Sequence, residues 1–381
     1  MHKTHRLVIV LGMFFLIFYT PPTHAYKKGI ITTLAISLSI ASIYGFYRWL
    51  RSEEQFQPTI DNLNTYTITQ RKNIHTAASQ DDISAPFTSI DQLVIDINQK
   101  KSPQQARVKM PHNHAFNKKI LHINKGITLT PEDHTVFIFS RGYARTNTPW
   151  TNDNVLQIGG CIMAAYMPVH DNVINNAPCI TFDYPDRRRC FNFGQDKDVL
   201  CLQHIHKQVL KQNPTINIIL IGDCRGAKAI LNFATQQPKN IKALVLLSPF
   251  FSAQELTEQV ALNYLSWLPK SSNILHNFFT LWFPSYNTKA DTTFLQNINK
   301  ISPQIPIFIA HRNYDTLVST QQVIHFIDQL KQAGHTHITF VTTNDTSARH
   351  SRITPIKEIQ QEANLFFHKY GLPHNLELLT A

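Results

Sequence analysis

Asn217-Ile218-Ile219-Leu220-Ile221-Gly222-Asp223-Cys224-Arg225-Gly226-Ala227 is an unbroken apolar run that ends at a glycine-flanked cysteine. The run is too short for a core helix. Its β-branched residues and abrupt polar ending favour a buried parallel strand, while Ala227, Ile230, Leu231 and Ala234 recur beyond it at helical spacing. A strand therefore turns directly into a helix. Cys224 stands at the corner, between Gly222 and Gly226, where larger side chains would clash with tight backbone.

Short apolar runs of the same kind lie on either side. Thr135 to Phe139, Cys179 to Phe182, Ala243 to Leu247, Pro306 to Ala310 and Ile338 to Val341 read as strands, with shorter ones around Ile120 to Leu129. Amphipathic segments separate them: near Val155 to Tyr166, Asp196 to Lys211, Thr320 to Ala333 and Pro355 to Tyr370, the last two followed by Gly334 and Gly371. Strands alternating with helices imply a mostly parallel sheet covered on both faces, because parallel neighbours need crossovers that pass over the sheet.

The Gly-x-Cys-x-Gly corner resembles the nucleophile elbow of the α/β-hydrolase superfamily, with Cys224 in place of the usual serine, as in dienelactone hydrolases and some acyl transferases. The resemblance implies the order nucleophile, acid, histidine along the chain. Asp315 follows one strand within His311-Arg312-Asn313-Tyr314-Asp315-Thr316-Leu317-Val318, similar to the superfamily's acid loop but with Arg312 where glycine is usual. His350 follows the last strand, so all three candidates lie beyond carboxyl ends of strands, where open α/β sheets place their sites. Asp345 is the second candidate carboxylate. His335 and His337 are second candidate bases, disfavoured because they precede the strand. The helix beginning at Arg225 directs its positive end at the sulfur and favours the thiolate. By resemblance, the backbone amides of Arg225 and Tyr143 form the oxyanion hole, with Arg141 replacing the superfamily's histidine in that loop.

Between Pro249 and Ser302 lies a helical insertion rich in Leu265, Trp267, Leu268, Ile274, Phe278, Phe279, Leu281, Trp282 and Phe283, where the superfamily commonly inserts a lid. Those side chains either line a pocket for a hydrophobic acyl group or simply pack the lid onto the body.

At the amino terminus, basic Met1 to Arg6 leads into apolar Leu7 to Tyr19, then Pro21, Pro22 and Ala25, the layout of a signal peptide. Gly29 to Tyr47 is uncharged and as a helix reaches about 29 Å, enough to cross a bilayer core. Lys27, Lys28, Arg48 and Arg51 bracket it, with Tyr44, Tyr47 and Trp49 as interfacial aromatics, and the side of the membrane stays open. Residues 52–119 are polar and read as a linker or stalk, with the hydrolase domain spanning 120–381 and its lid about 250–302.

The chain has 381 residues, 43% apolar content and a net charge of +11. Its basic residues are scattered and carry no nucleic-acid-binding signature, so the charge either favours anionic surfaces or is solvated; Arg187-Arg188-Arg189 is one such run. Cys161, Cys179, Cys190 and Cys201 form two disulfides or stay reduced, and no CxxC pair suggests metal. The pairs His112/His114 and His204/His206 lack neighbouring acidic or cysteine ligands. The expected protein is a membrane-anchored acyl hydrolase or transferase acting on an ester, thioester or amide through Cys224, His350 and Asp315, without cofactor or metal. The alternative is a catalytically silent hydrolase fold that binds a lipid or protein partner at a membrane. A transporter is excluded, because both long apolar segments lie at the start and the rest has soluble patterning.

Overall fold

The computed structural model describes residues 63, 65–70, 104–107, 120–140, 142, 177–182, 193–267, 270–282, 286–287, 289–291, 296–346, 350, 353 and 356–373. The proposed signal-like and membrane segments, the helix expected near Val155 to Tyr166, Arg141, Tyr143 and the Arg187 run lie outside them.

Among the described residues, nine strands form one sheet: β1 (Thr65–Gln70), β2 (Gln104–Arg107), β3 (Ile120–Lys125), β4 (Thr135–Ser140), β5 (Cys179–Phe182), β6 (Asn217–Asp223), β7 (Ile241–Leu247), β8 (Ile307–Arg312) and β9 (Ile338–Thr343). Their order is β2-β3-β1-β5-β4-β6-β7-β8-β9. Strands β5 through β9 in that order are parallel, while β2, β3 and β1 form an antiparallel flank. Register aligns Ser140 with Gly222, Asp223 with Leu247, Leu247 with Ala310 and Arg312 with Thr343, so the carboxyl ends of five neighbouring strands share one edge.

The flank corrects the expected linker. Residues 52–119 are polar on average, yet Thr65–Gln70 pairs with both β3 and β5, and Gln104–Arg107 pairs with β3. Pairing across the chain overrides composition here, because a six-residue strand with Tyr66 and Ile68 among threonines contributes little to a 68-residue average. Thr67 is fully buried. Its hydroxyl donates to the Gly126 carbonyl at 2.8 Å and accepts from Thr128 N at 2.9 Å, tying the strand to the β3–β4 connection.

Side chains of β6 alternate between two cores. Ile218 and Leu220 join Val136, Ile138, Leu244, Leu246, Ile307 and Ile309 on one face, packed under α1 (Asp196–Gln212), α2 (Arg225–Ala234) and α5 (Thr320–Gln332). Ile219 and Ile221 join Phe137, Phe139, Val245 and Phe308 on the other, covered by Ile359, Ala363, Phe366 and Phe367 of α6 (Lys357–Lys369). Both faces of each strand are apolar because both are covered. The helices expected at Asp196, Thr320 and Pro355 form within two residues of those bounds. Between β7 and β8 the chain forms α3 (Ala253–Tyr264), α4 (Ser271–Trp282) and a 3-10 turn at Ile298–Lys300. No helix of the described residues is long and apolar enough to cross a membrane.

Candidate active site

Cys224 joins β6 to α2 with φ 50° and ψ −111°, a backbone state that L-residues rarely adopt and that surrounding structure must enforce. Its N–H donates to the Leu247 carbonyl of β7 at 2.9 Å, and its own carbonyl accepts from Ala227 N at 3.1 Å to begin the helix. The turn is so tight that a Cβ on Gly222 would lie 2.5 Å from the Ala227 backbone. A Cβ on Gly142 would come within 2.9 Å of Asp223 Oδ2 and 3.4 Å of Cys224 Cβ, so the loop after β4 presses against the elbow. Gly222 is therefore required by space, because the atoms it meets are backbone. Arg225 is the first residue of α2, and its backbone N–H points off the helix end beside the sulfur's residue.

Asp315 sits in a closed turn after β8. Its Oδ1 accepts from Leu317 N at 2.8 Å and Val318 N at 3.0 Å, and its Oδ2 lies 2.6 Å from His350 Nδ1. The turn runs straight into α5, whose start is fixed by reciprocal bonds between Ser319 and Gln322. Burial pushes the Asp315 carboxyl up, but the hydrogen bond and charge of His350, with His311 and the Val318 N–H, outweigh it and hold the pKa below the ordinary value. For His350, burial opposes the charged ring. The Cys224 thiolate and Asp315 overcome that opposition and hold the imidazole well above its ordinary value. The other ring nitrogen, Nε2, is buried and is engaged by no nitrogen or oxygen of the described residues, while a side-chain hydrogen bond to Cys224 is among the causes that raise the ring's pKa. A buried ring with Cys224 close enough to act on it, and a carboxylate on Nδ1, suits proton exchange with the sulfur.

Of the second candidates, Asp345 is engaged elsewhere, and His335 and His337 precede β9. Arg312, where the acid loop departs from glycine, is 1% exposed and donates to the Asp345 backbone carbonyl and, at 2.8 Å, to Asp345 Oδ1. Asp345 thus neutralises Arg312. His335 is buried at the end of α5 and His337 packs edge-on against Tyr370, both before β9 begins. Of the cysteines described, Cys179 and Cys201 are buried free thiols and Cys224 is half-buried. Burial, with Asp198 adding and Arg225 opposing, pushes the Cys201 thiol up to about 12. Tyr143, Cys161 and Cys190 lie outside the described residues.

Two buried ion pairs escaped the sequence reading, because charges on amphipathic helices are expected in water. Arg225 makes a two-pronged pair with Asp198 of α1, which also accepts from Gly194 N at 2.7 Å. Lys228, one turn beyond Cys224, is fully buried and pairs with Asp291. Asp291 also accepts from Gln195 Nε2 at 2.8 Å and from Ala253 N, the start of α3, at 3.1 Å. Gln195 and Asn287 exchange a second pair of bonds at 2.8 and 2.9 Å. Phe250 and Tyr286 lie against the ammonium at 5.0 and 5.6 Å, and Phe193 packs at tilted and edge-on angles among Phe250, Phe279 and Tyr286. Among the lid's described aromatics, Phe279 and Tyr286 pack onto the body, whereas Trp267 is 64% exposed.

No protein-family model matches the chain, and no curated protein matches it in sequence. Among solved structures it is similar to an esterase from Pyrococcus furiosus, at 19% identity and a TM-score of 0.45, over 63% of this chain and 84% of that one. It is also similar to a carboxyl esterase from Bacillus coagulans, at 13% identity and a TM-score of 0.42, over 72% of this chain and 99% of that one. A third is a monoacylglycerol lipase from Paleococcus ferrophilus, at 11% identity and a TM-score of 0.39, over 63% of this chain and 95% of that one.

Proposed function

We propose that the chain is an acyl hydrolase or transferase of the α/β-hydrolase type that uses Cys224 as nucleophile. The observation that carries the reading is the 2.6 Å contact between His350 Nδ1 and Asp315 Oδ2, with Nε2 left for the sulfur. In the resting site the thiolate faces an imidazolium. The sulfur attacks the acyl carbonyl and forms a C–S bond while the carbonyl π pair moves onto oxygen, where the backbone N–H of Arg225 at the start of α2 receives it. The tetrahedral centre collapses, the leaving group departs with the His350 proton, and a thioester on Cys224 remains. Water or an acceptor alcohol, thiol or amine then gives its proton to His350 as it attacks. The second collapse expels the thiolate and restores the ion pair. Asp315 keeps the ring in the correct tautomer throughout. The substrate is an ester, thioester or amide, and an apolar acyl group suits the aromatic insertion.

Two substitutions test these roles. Asp315→Asn lowers kcat by roughly 10⁴-fold by the precedent of a misoriented histidine, while thiol labelling suffers less, since the misaligned ring still supplies a nearby base. Cys224→Ala removes the anion that outweighs burial at His350, so the ring's proton comes off at lower pH; an NMR titration of His350 reads this. An unchanged His350 titration would break the proposed coupling between sulfur and ring.

We also propose that residues 29–47 anchor the chain in a membrane, on the strength of their uncharged length and basic, aromatic flanks. Full-length protein stays with membranes through alkaline washing, and a chain beginning at Ser52 does not. Release of the full chain by salt alone would reduce the attachment to a peripheral one.

A further inference from the structure

The turn that carries Asp315 is held from both sides, and the second holder is a histidine without a role in the proton transfers above. His311 is the fifth residue of β8 and has no exposed surface. Its Nε2 lies 3.0 Å from the Val318 carbonyl. A carbonyl only accepts, so Nε2 carries a proton, and the buried Nδ1 has no hydrogen-bond partner among the described residues that would receive a second one. Val318 is also the residue whose N–H Asp315 Oδ1 accepts at 3.0 Å. Both polar backbone groups of Val318 are thus engaged, one by the acid and one by His311, and the turn 315–318 is closed into a ring of contacts. The remaining oxygen of Asp315 is the one that meets His350.

We infer that His311 is a positioning residue for the acyl-transfer site: as a neutral Nε2–H donor it clamps the Val318 carbonyl and so fixes the direction in which Asp315 Oδ2 meets His350. The inference rests on the reading of Cys224, His350 and Asp315 as the reacting set. The groups that face His311 are Asp315 from its own loop and His350 from the segment after β9. Burial pushes its pKa below the ordinary value, against Asp315 and the Val318 carbonyl, and the His350 cation pushes the same way as burial. An apolar side chain at 311 would fill the space and leave the Val318 carbonyl without its donor, which costs the turn its closure.

The test uses the full chain and two variants. In protein carrying ¹⁵N-histidine, His311 should appear as the neutral Nε2–H tautomer throughout the pH range of activity. A neutral Nδ1–H tautomer or a charged ring would overturn the inference without any substitution. His311→Leu should lower kcat for a chromogenic acyl ester by about 10–100-fold with KM changed less than about twofold, the pattern of a misdirected catalytic group. It should also move the pH midpoint of Cys224 alkylation upward by about one unit, because a loosened Asp315 stabilises the imidazolium less. His311→Gln retains an N–H for the Val318 carbonyl and should recover most of both losses. A purely structural histidine would lower the melting temperature of both variants and leave the midpoint where it was, and that result removes the inference. If His311→Leu does not fold, the tautomer and the Gln variant decide. Failure of the site reading looks different: in the wild type itself Cys224 would label like an ordinary thiol, and both readings would fall together.

Discussion

Cys224→Ala abolishes turnover of acyl esters and thioesters, with a loss on the order of 10⁶-fold in kcat by the precedent of a removed nucleophile. The remaining donors and the binding surface can still orient a substrate, but no atom at the elbow can take the acyl group. The same substitution removes the thiol that alkylates fastest. In the wild type that thiol should alkylate faster than the other described cysteines, because His350, held by Asp315, stands beside it as a base. Cys201 lags because burial holds it protonated, and Cys179 because it has almost no exposed surface. Cys224→Ser is the sharper comparison. Serine keeps the elbow's backbone but shortens the bond to the nucleophile and withdraws the anion that keeps His350 charged, so activity falls steeply even though the superfamily usually carries serine here. If the full chain folds, labels Cys224 no faster than a free thiol and turns over no acyl substrate of any chain length, the silent binding fold replaces the enzyme.

What could be read from sequence follows the range of the interactions involved. The corner at Cys224 was readable because everything that makes it lies within ten residues: an apolar run, two glycines and the first turn of α2. The strand ends carrying Asp315 and His350 were readable for the same reason, and position after a strand is enough to place a residue at the carboxyl edge. The antiparallel flank was not, since Thr65–Gln70 becomes a strand through partners at Leu121 to Lys125 and Cys179 to Phe182. Arg312 read as a departure from the acid loop. Its partner Asp345 is thirty-three residues away across β9, and only the register of β8 against β9 brings the two together. His311 carried a faint signal, a histidine closing an otherwise apolar strand, but its bond to Val318 depends on a turn that sequence does not specify.

Lys228→Met should destabilise the folded chain by about 3–5 kcal/mol, because it strands the Asp291 carboxylate in a site built around a charge. The size of the effect comes from what is left behind. Asp291 would keep the Gln195 amide and the Ala253 N–H as donors, but neither carries the charge that offsets its desolvation. Asp291→Asn leaves the ammonium buried under Phe250 and Tyr286 with an amide oxygen in place of a carboxylate, and should lose a similar amount. Removing both charges together, as Lys228→Met with Asp291→Leu, should cost clearly less than the sum of the single losses, since no unpaired ion then remains. For a chain of this size the single variants should melt lower by roughly 10 °C. The position of the network adds a local consequence. It joins α2, directly behind the elbow, to Tyr286, Asn287 and Asp291 and to the first turn of α3, so its loss should free the insertion before the sheet. Backbone amides of α3 should exchange hydrogen faster in Lys228→Met at temperatures where β6 and β7 stay protected. Equal exchange in both regions would mean that the lid and the body open as one unit, and that Lys228 stabilises the whole fold without fastening one part of it to the other.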